Sequence, residues 1–141
     1  MRTIIIYIVS VLFWVPSAAA HQYVVRFDAG LETLRVSARF ASPVDSVRAR
    51  HRSAGQFLLE AADCDTGLPL ERRGRALASA QGPIGCIDYV VDLRNAAATE
   101  RRNEGLAPDN VVVSPAVWLW QPKTGTKPRI TVRFLPGDGA D

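Results

Sequence analysis

Two histidines, two cysteines and a closely spaced tryptophan pair are the residues whose chemistry could go beyond packing. His21 follows three alanines, Ala18-Ala19-Ala20. If the chain is cut after Ala20, the new terminal amine and the His21 ring form a chelate. The imidazole of His51 would complete a three-nitrogen set, and nitrogen donors in a planar arrangement suit Cu(II). That chemistry belongs to exported copper carriers and to copper oxygenases acting on polysaccharides. The competing reading is a solvated terminal histidine, with His51 merely part of a polar, Arg-rich segment.

Cys64 and Cys86 are the only cysteines. An even pair in an exported protein reads first as one disulfide, and closing a loop of this length contributes roughly 3 kcal/mol in the chain-entropy model. A redox pair would usually be spaced Cys-x-x-Cys, which this is not. Trp118 and Trp120 stand two apart, so on a strand they would share a face. Exposed, they would form a platform for a sugar or a peptide; buried, they are large core residues. The neighbouring Val111, Val112, Val113 and Val117 favour the core. Asp63, Asp65, Asp88 and Asp92 match no calcium loop and read as surface residues and turn formers. The chain has no His-Glu-x-x-His zinc helix, no Gly-x-Ser-x-Gly nucleophile turn and no glycine-rich phosphate loop. No catalytic residue is assigned.

The compartment is set by the first residues. Arg2 supplies a positive start, residues 4–15 are almost unbroken apolar chain, and Pro16-Ser17 leads into the alanines. This is the layout of a secretory signal peptide over residues 1–20, and the apolar run is short of the ~20 residues that span a bilayer. Residues 21–141 then form one mature domain, exported to the periplasm or beyond, with no membrane attachment after cleavage. The formal net charge is +3. The arginines are spread along the first half and alternate with apolar residues. A nucleic-acid surface would be a denser basic patch with exposed aromatics, so that partner is excluded.

The mature chain must position these residues with strands. Residues 22–28 are rich in β-formers and end in the turn Asp28-Ala29-Gly30. Leu34, Val36, Ala38 and Phe40 alternate with Arg35, Ser37 and Arg39, as in a half-buried antiparallel strand. Ser42-Pro43 is expected to break that strand, and residues 44–49 to form a weaker one. Residues 50–62 fit a short helix or a strand equally. Ile87, Tyr89, Val91 and Leu93 share one face, with Asp88 and Asp92 on the other. Residues 95–105 read as a solvated loop or a turn or two of helix. Residues 110–120 read as extended chain, and Ile130, Val132 and Phe134 point inward from a last strand. The expected fold class is all-β: an antiparallel sandwich or open barrel, with a signal helix and one or two short helical turns.

Three segments in order resemble a known family: Cys86-Ile87-Asp88-Tyr89-Val90-Val91-Asp92-Leu93, then Val112 through Ser114-Pro115-Ala116-Val117-Trp118-Leu119-Trp120-Gln121-Pro122, then Ile130-Thr131-Val132-Arg133-Phe134-Leu135-Pro136-Gly137. The order resembles the N-terminal β-domain of the glycyl-aminopeptidase-type (gluzincin) zinc metallopeptidases. The family's catalytic domain would lie beyond Asp141, and the Trp-x-Pro-Gly-x-Tyr pattern of many members is missing. The resemblance therefore implies a β-domain and carries over no catalytic residue. The expected function is a non-catalytic exported domain, a truncated or stand-alone relative of that peptidase region, that binds or supports a peptide or a separate catalytic chain, without a cofactor. The copper protein and a sugar-binding module on Trp118 and Trp120 are the alternatives.

Overall fold

The computed structural model describes residues 19–100, 111–124 and 127–137. The expectations for the signal helix, and for the loop after residue 100, lie outside the described residues. Within them the chain forms two β-sheets.

The first hairpin joins β1 (His21–Phe27) to β2 (Thr33–Val44), with Phe27 opposite Leu34 and Gln22 opposite Arg39. Its turn is closed by the Asp28 carboxylate, which accepts the N–H groups of Glu32 and Thr33 at 2.7 and 3.1 Å. An aspartate that bonds its own downstream backbone is the usual device for such a turn. The strand does not stop at Ser42-Pro43, as the sequence suggests. It runs to Val44 with a register shift after Arg39. Proline is tolerated where a strand bulges and its missing N–H breaks no ladder bond. Only Val47–Arg48 (β3) then pairs, and it does so in the other sheet.

The ambiguous segment is both things in turn. Ala54–Phe57 makes one helical turn, α1, and Leu58–Asp63 continues as β4. Two short strands follow, β5 (Glu71–Arg73) and β6 (Ala76–Ala78), then the long β7 (Ile84–Asp92). The helix α2 (Leu93–Glu100) is followed by the helical turn α3 (Pro115–Trp118). Extended chain was expected at α3. The Ser114 hydroxyl instead accepts the Ala116 N–H, and Pro115 opens the turn. Serine before proline is an N-cap followed by a residue already fixed at a helical φ. The last strands are β8 (Gln121–Pro122) and β9 (Ile130–Leu135).

The five-stranded sheet has the order β4-β7-β2-β1-β9 and the four-stranded sheet β5-β6-β3-β8. All pairs in the first are antiparallel except β1 with β9, which is parallel. A Cβ on Gly137 would overlap the Phe27 carbonyl, so the close approach of the two strand ends requires glycine there. The inner face of the large sheet supplies Tyr23, Val25, Leu34, Val36, Ala38, Phe40, Ile87, Tyr89 and Val91 to the core. Val47 and Leu77 come from the small sheet, and Phe57, Ala96 and Val117 to Trp120 fill the space between. The fold is an all-β, sandwich-like two-sheet domain.

Candidate functional site

His21 sits at the start of β1, 6% exposed, with its ring edge-on to Phe40. Its Nδ1 accepts the Ala41 N–H at 3.1 Å, and its main-chain nitrogen donates to the Arg129 carbonyl at 2.9 Å. Burial lowers its pKa from the ordinary 6.5, consistent with a neutral ring accepting at Nδ1. The Nδ1 lone pair is thus engaged with Ala41. His51 is exposed; its Nδ1 bonds the Ser53 hydroxyl and its N–H reaches Ala116. The two rings have different partners, Phe40 and the Ala41 N–H for His21 and Ser53 for His51.

Trp118 and Trp120 are 7% and 2% exposed, and the helical turn α3 separates their faces. Neither indole offers a broad exposed face, and only Trp118 borders a cleft. Trp120 is gripped by its main chain. The Tyr23 hydroxyl donates to its carbonyl at 2.9 Å, and its N–H donates to the Tyr89 oxygen at 3.4 Å. Its indole Nε1 is buried without a partner among the described residues.

Cys64 and Cys86 form a disulfide. With Asp65 they make up the one group of three or more potential metal-ligating side chains among the described residues. Its two sulfurs are bonded to each other, so no thiolate remains. Asp63 is a turn former: its carboxylate accepts the N–H groups of Asp65 and Thr66. Asp92 receives the Asn95 N–H at the start of α2.

Two further surfaces stand out, and the sequence read neither as a site, although Trp118 lines the first and Asp88 the second. The first is an apolar cleft of 260 Å³ at the end of the large sheet. It is lined by Phe27, Leu31, Val113, Trp118 and Phe134 among others. Phe134 stacks on Phe27 and meets Trp118 edge-on, yet stays 56% exposed. Leu31 is the one non-glycine at positive φ (53°) among the described residues. Holding a leucine left-handed costs roughly 1–2 kcal/mol, and such strain tends to concentrate at binding sites. The cleft opens beside β9, an edge strand. At the opposite edge, β4 is covered by residues 68–70, since Leu70 donates to Ala61 and Asp63 to Leu68. Among the described residues no strand covers the free side of β9.

The second surface is a groove of 880 Å³ on the outer face of the same sheet, lined by Arg26, Arg35, Ser37, Glu60, Asp88 and Val90 among others. Alternation alone puts the arginines outside. That Arg26 and Arg35 oppose one another follows from the hairpin register, and counting back from the Asp28 turn was the available signal. A scan of protein-family models, a search of curated proteins and a search of solved structures each returned no match.

Proposed function

We propose that the chain is an exported binding domain that receives an extended segment of a partner along β9, in a supporting rather than catalytic role. The observation that carries this reading is Phe134, exposed over an apolar cleft beside a sheet edge that no described strand covers. A strand added to such an edge gains affinity from main-chain hydrogen bonds, and a pocket beside it selects a side chain. Charge defines the partner further. Lys123, Lys127, Arg129 and Arg133 flank or lie on β9, and no acidic residue falls between positions 123 and 137. The partner segment is therefore acidic, with one apolar side chain that fills the cleft. The motif resemblance of residues 86–93, 112–122 and 130–137 supports the same role, because the β-domain of that family stands beside a catalytic one. The disulfide suits an oxidising compartment, and no helix among the described residues is long and apolar enough to cross a membrane.

A library of displayed hexapeptides, selected on the mature protein, tests this. The expected winners carry acidic residues around one large apolar residue. Phe134→Ala should weaken them about tenfold, the loss expected when one apolar contact of roughly 1.4 kcal/mol is removed, while Phe134→Leu retains most of the affinity. Winners that are basic, or that bind Phe134→Ala equally well, would contradict it.

A further inference from the structure

The outer-face groove lies on the opposite side of the sheet from the cleft and is independent of the partner reading. Its chemistry is arranged in rows by the strand register. Arg26 on β1 is directly opposite Arg35 on β2; Arg35 is opposite Val90 on β7; Val90 is opposite Glu60 on β4. One row further along, Ser37 is opposite Asp88. Like charges directly opposed on a sheet face are unfavourable. Neither arginine has an ion pair among the described residues, and neither do Glu60 and Asp88. The two ion pairs found there are Arg73–Glu71 and Arg94–Glu32, both elsewhere. Along that row the groove has a cationic end at Arg26 and Arg35, Glu60 at the other end and Val90 between them, with Asp88 one row away on Val90's strand. Its far wall is the segment 67–70, which the Leu70 bond to Ala61 ties to the sheet.

We infer that this groove binds a short peptide with free termini. Two guanidiniums side by side take a carboxylate through paired charged hydrogen bonds, which would relieve the repulsion between Arg26 and Arg35. Glu60 and Asp88 take the ammonium. Length follows from the sheet. Arg35 and Glu60 are two strand spacings apart, about 10 Å, and an extended chain advances about 3.3–3.6 Å per residue. A ligand of about three residues matches that span. A free amino acid, with its charges on one carbon, is too short to reach both ends. The segment between the charged ends rests against Val90 and Leu70.

The test is a titration of the isotopically labelled mature protein with tri-alanine, read by amide chemical shifts. Saturable shifts at residues 35–37, 60–62 and 88–90 are expected. N-acetyl tri-alanine and tri-alanine amide should each bind about tenfold more weakly, the size of one lost charged hydrogen bond. Arg35→Gln should weaken tri-alanine by a similar factor while leaving the amide's weaker binding unchanged. Arg48→Gln, an exposed arginine outside the groove, should bind like the wild type and controls for net charge. Equal affinity for the capped peptides overturns the inference. So does the absence of saturable shifts at millimolar tri-alanine, or binding of inorganic phosphate at these amides when tri-alanine does not bind. None of these results bears on the hexapeptide selection at β9, so the two readings fail separately.

Discussion

Tyr23 and Tyr89 place Trp120 by its backbone across the inner face, Tyr23 donating to its carbonyl and Tyr89 accepting its N–H. The Tyr23 hydroxyl is the partner of a buried carbonyl, so Tyr23→Phe leaves that oxygen desolvated. The expected loss is about 1–3 kcal/mol, measured by urea unfolding. Burial raises the pKa of both phenols above the ordinary tyrosine range. The sign of the pH effect follows. Below about pH 10 the phenols are neutral in the folded and unfolded chains alike, and stability is intact. Above it the unfolded chain loses protons that the fold retains, so stability falls as pH rises, by about 1.4 kcal/mol per pH unit for each tyrosine. Urea midpoints taken from about pH 9 to pH 11 should therefore drop steeply, and less steeply in Tyr23→Phe. A midpoint independent of pH in that window would mean the phenols ionise inside the fold.

The disulfide acts on elements rather than on chemistry. It ties the turn after β4 to β7, beside the wall of the outer groove. Replacing Cys64 and Cys86 together by alanine should cost about 3 kcal/mol in the loop-closure account, read by denaturant unfolding under non-reducing conditions. An unchanged midpoint would mean that β4 and β7 hold the loop without it. At this scale the sequence is legible where strands alternate. Leu34 to Phe40 and Ile87 to Val91 point inward as their spacing requires, because one face is buried and the other wet. It is less legible where context decides. Ser42-Pro43 reads as a stop, but the bulge after Arg39 lets the chain pass. The valines around Pro115 read as extended chain, although the Ser114-Pro115 cap favoured a helical turn. The parallel pairing of β1 with β9 joins residues more than a hundred positions apart, and no local pattern encodes it. Both candidate surfaces depend on such pairings. Phe134 was legible as an apolar strand residue, but its place at an open edge was not.

For the whole molecule, one disulfide and a two-sheet core describe a domain compatible with an oxidising compartment, and export of residues 21–141 belongs to the proposed reading. Cell fractionation should recover the protein outside the cytoplasm with an intact mass that begins at His21; protein confined to the cytoplasm and retaining residues 1–20 would remove the export reading. The two open surfaces lie on opposite sides of one sheet, so strand pairing at β9 and ligand binding in the outer groove need not exclude one another. The most direct test of the central claim is amide hydrogen exchange, comparing the free mature protein with its complex with a selected acidic hexapeptide. The account predicts new protection at alternate amides of Ile130 to Leu135, the pattern of a strand added at that edge. Protection confined to other strands, or no change along β9 in a saturated complex, would contradict it.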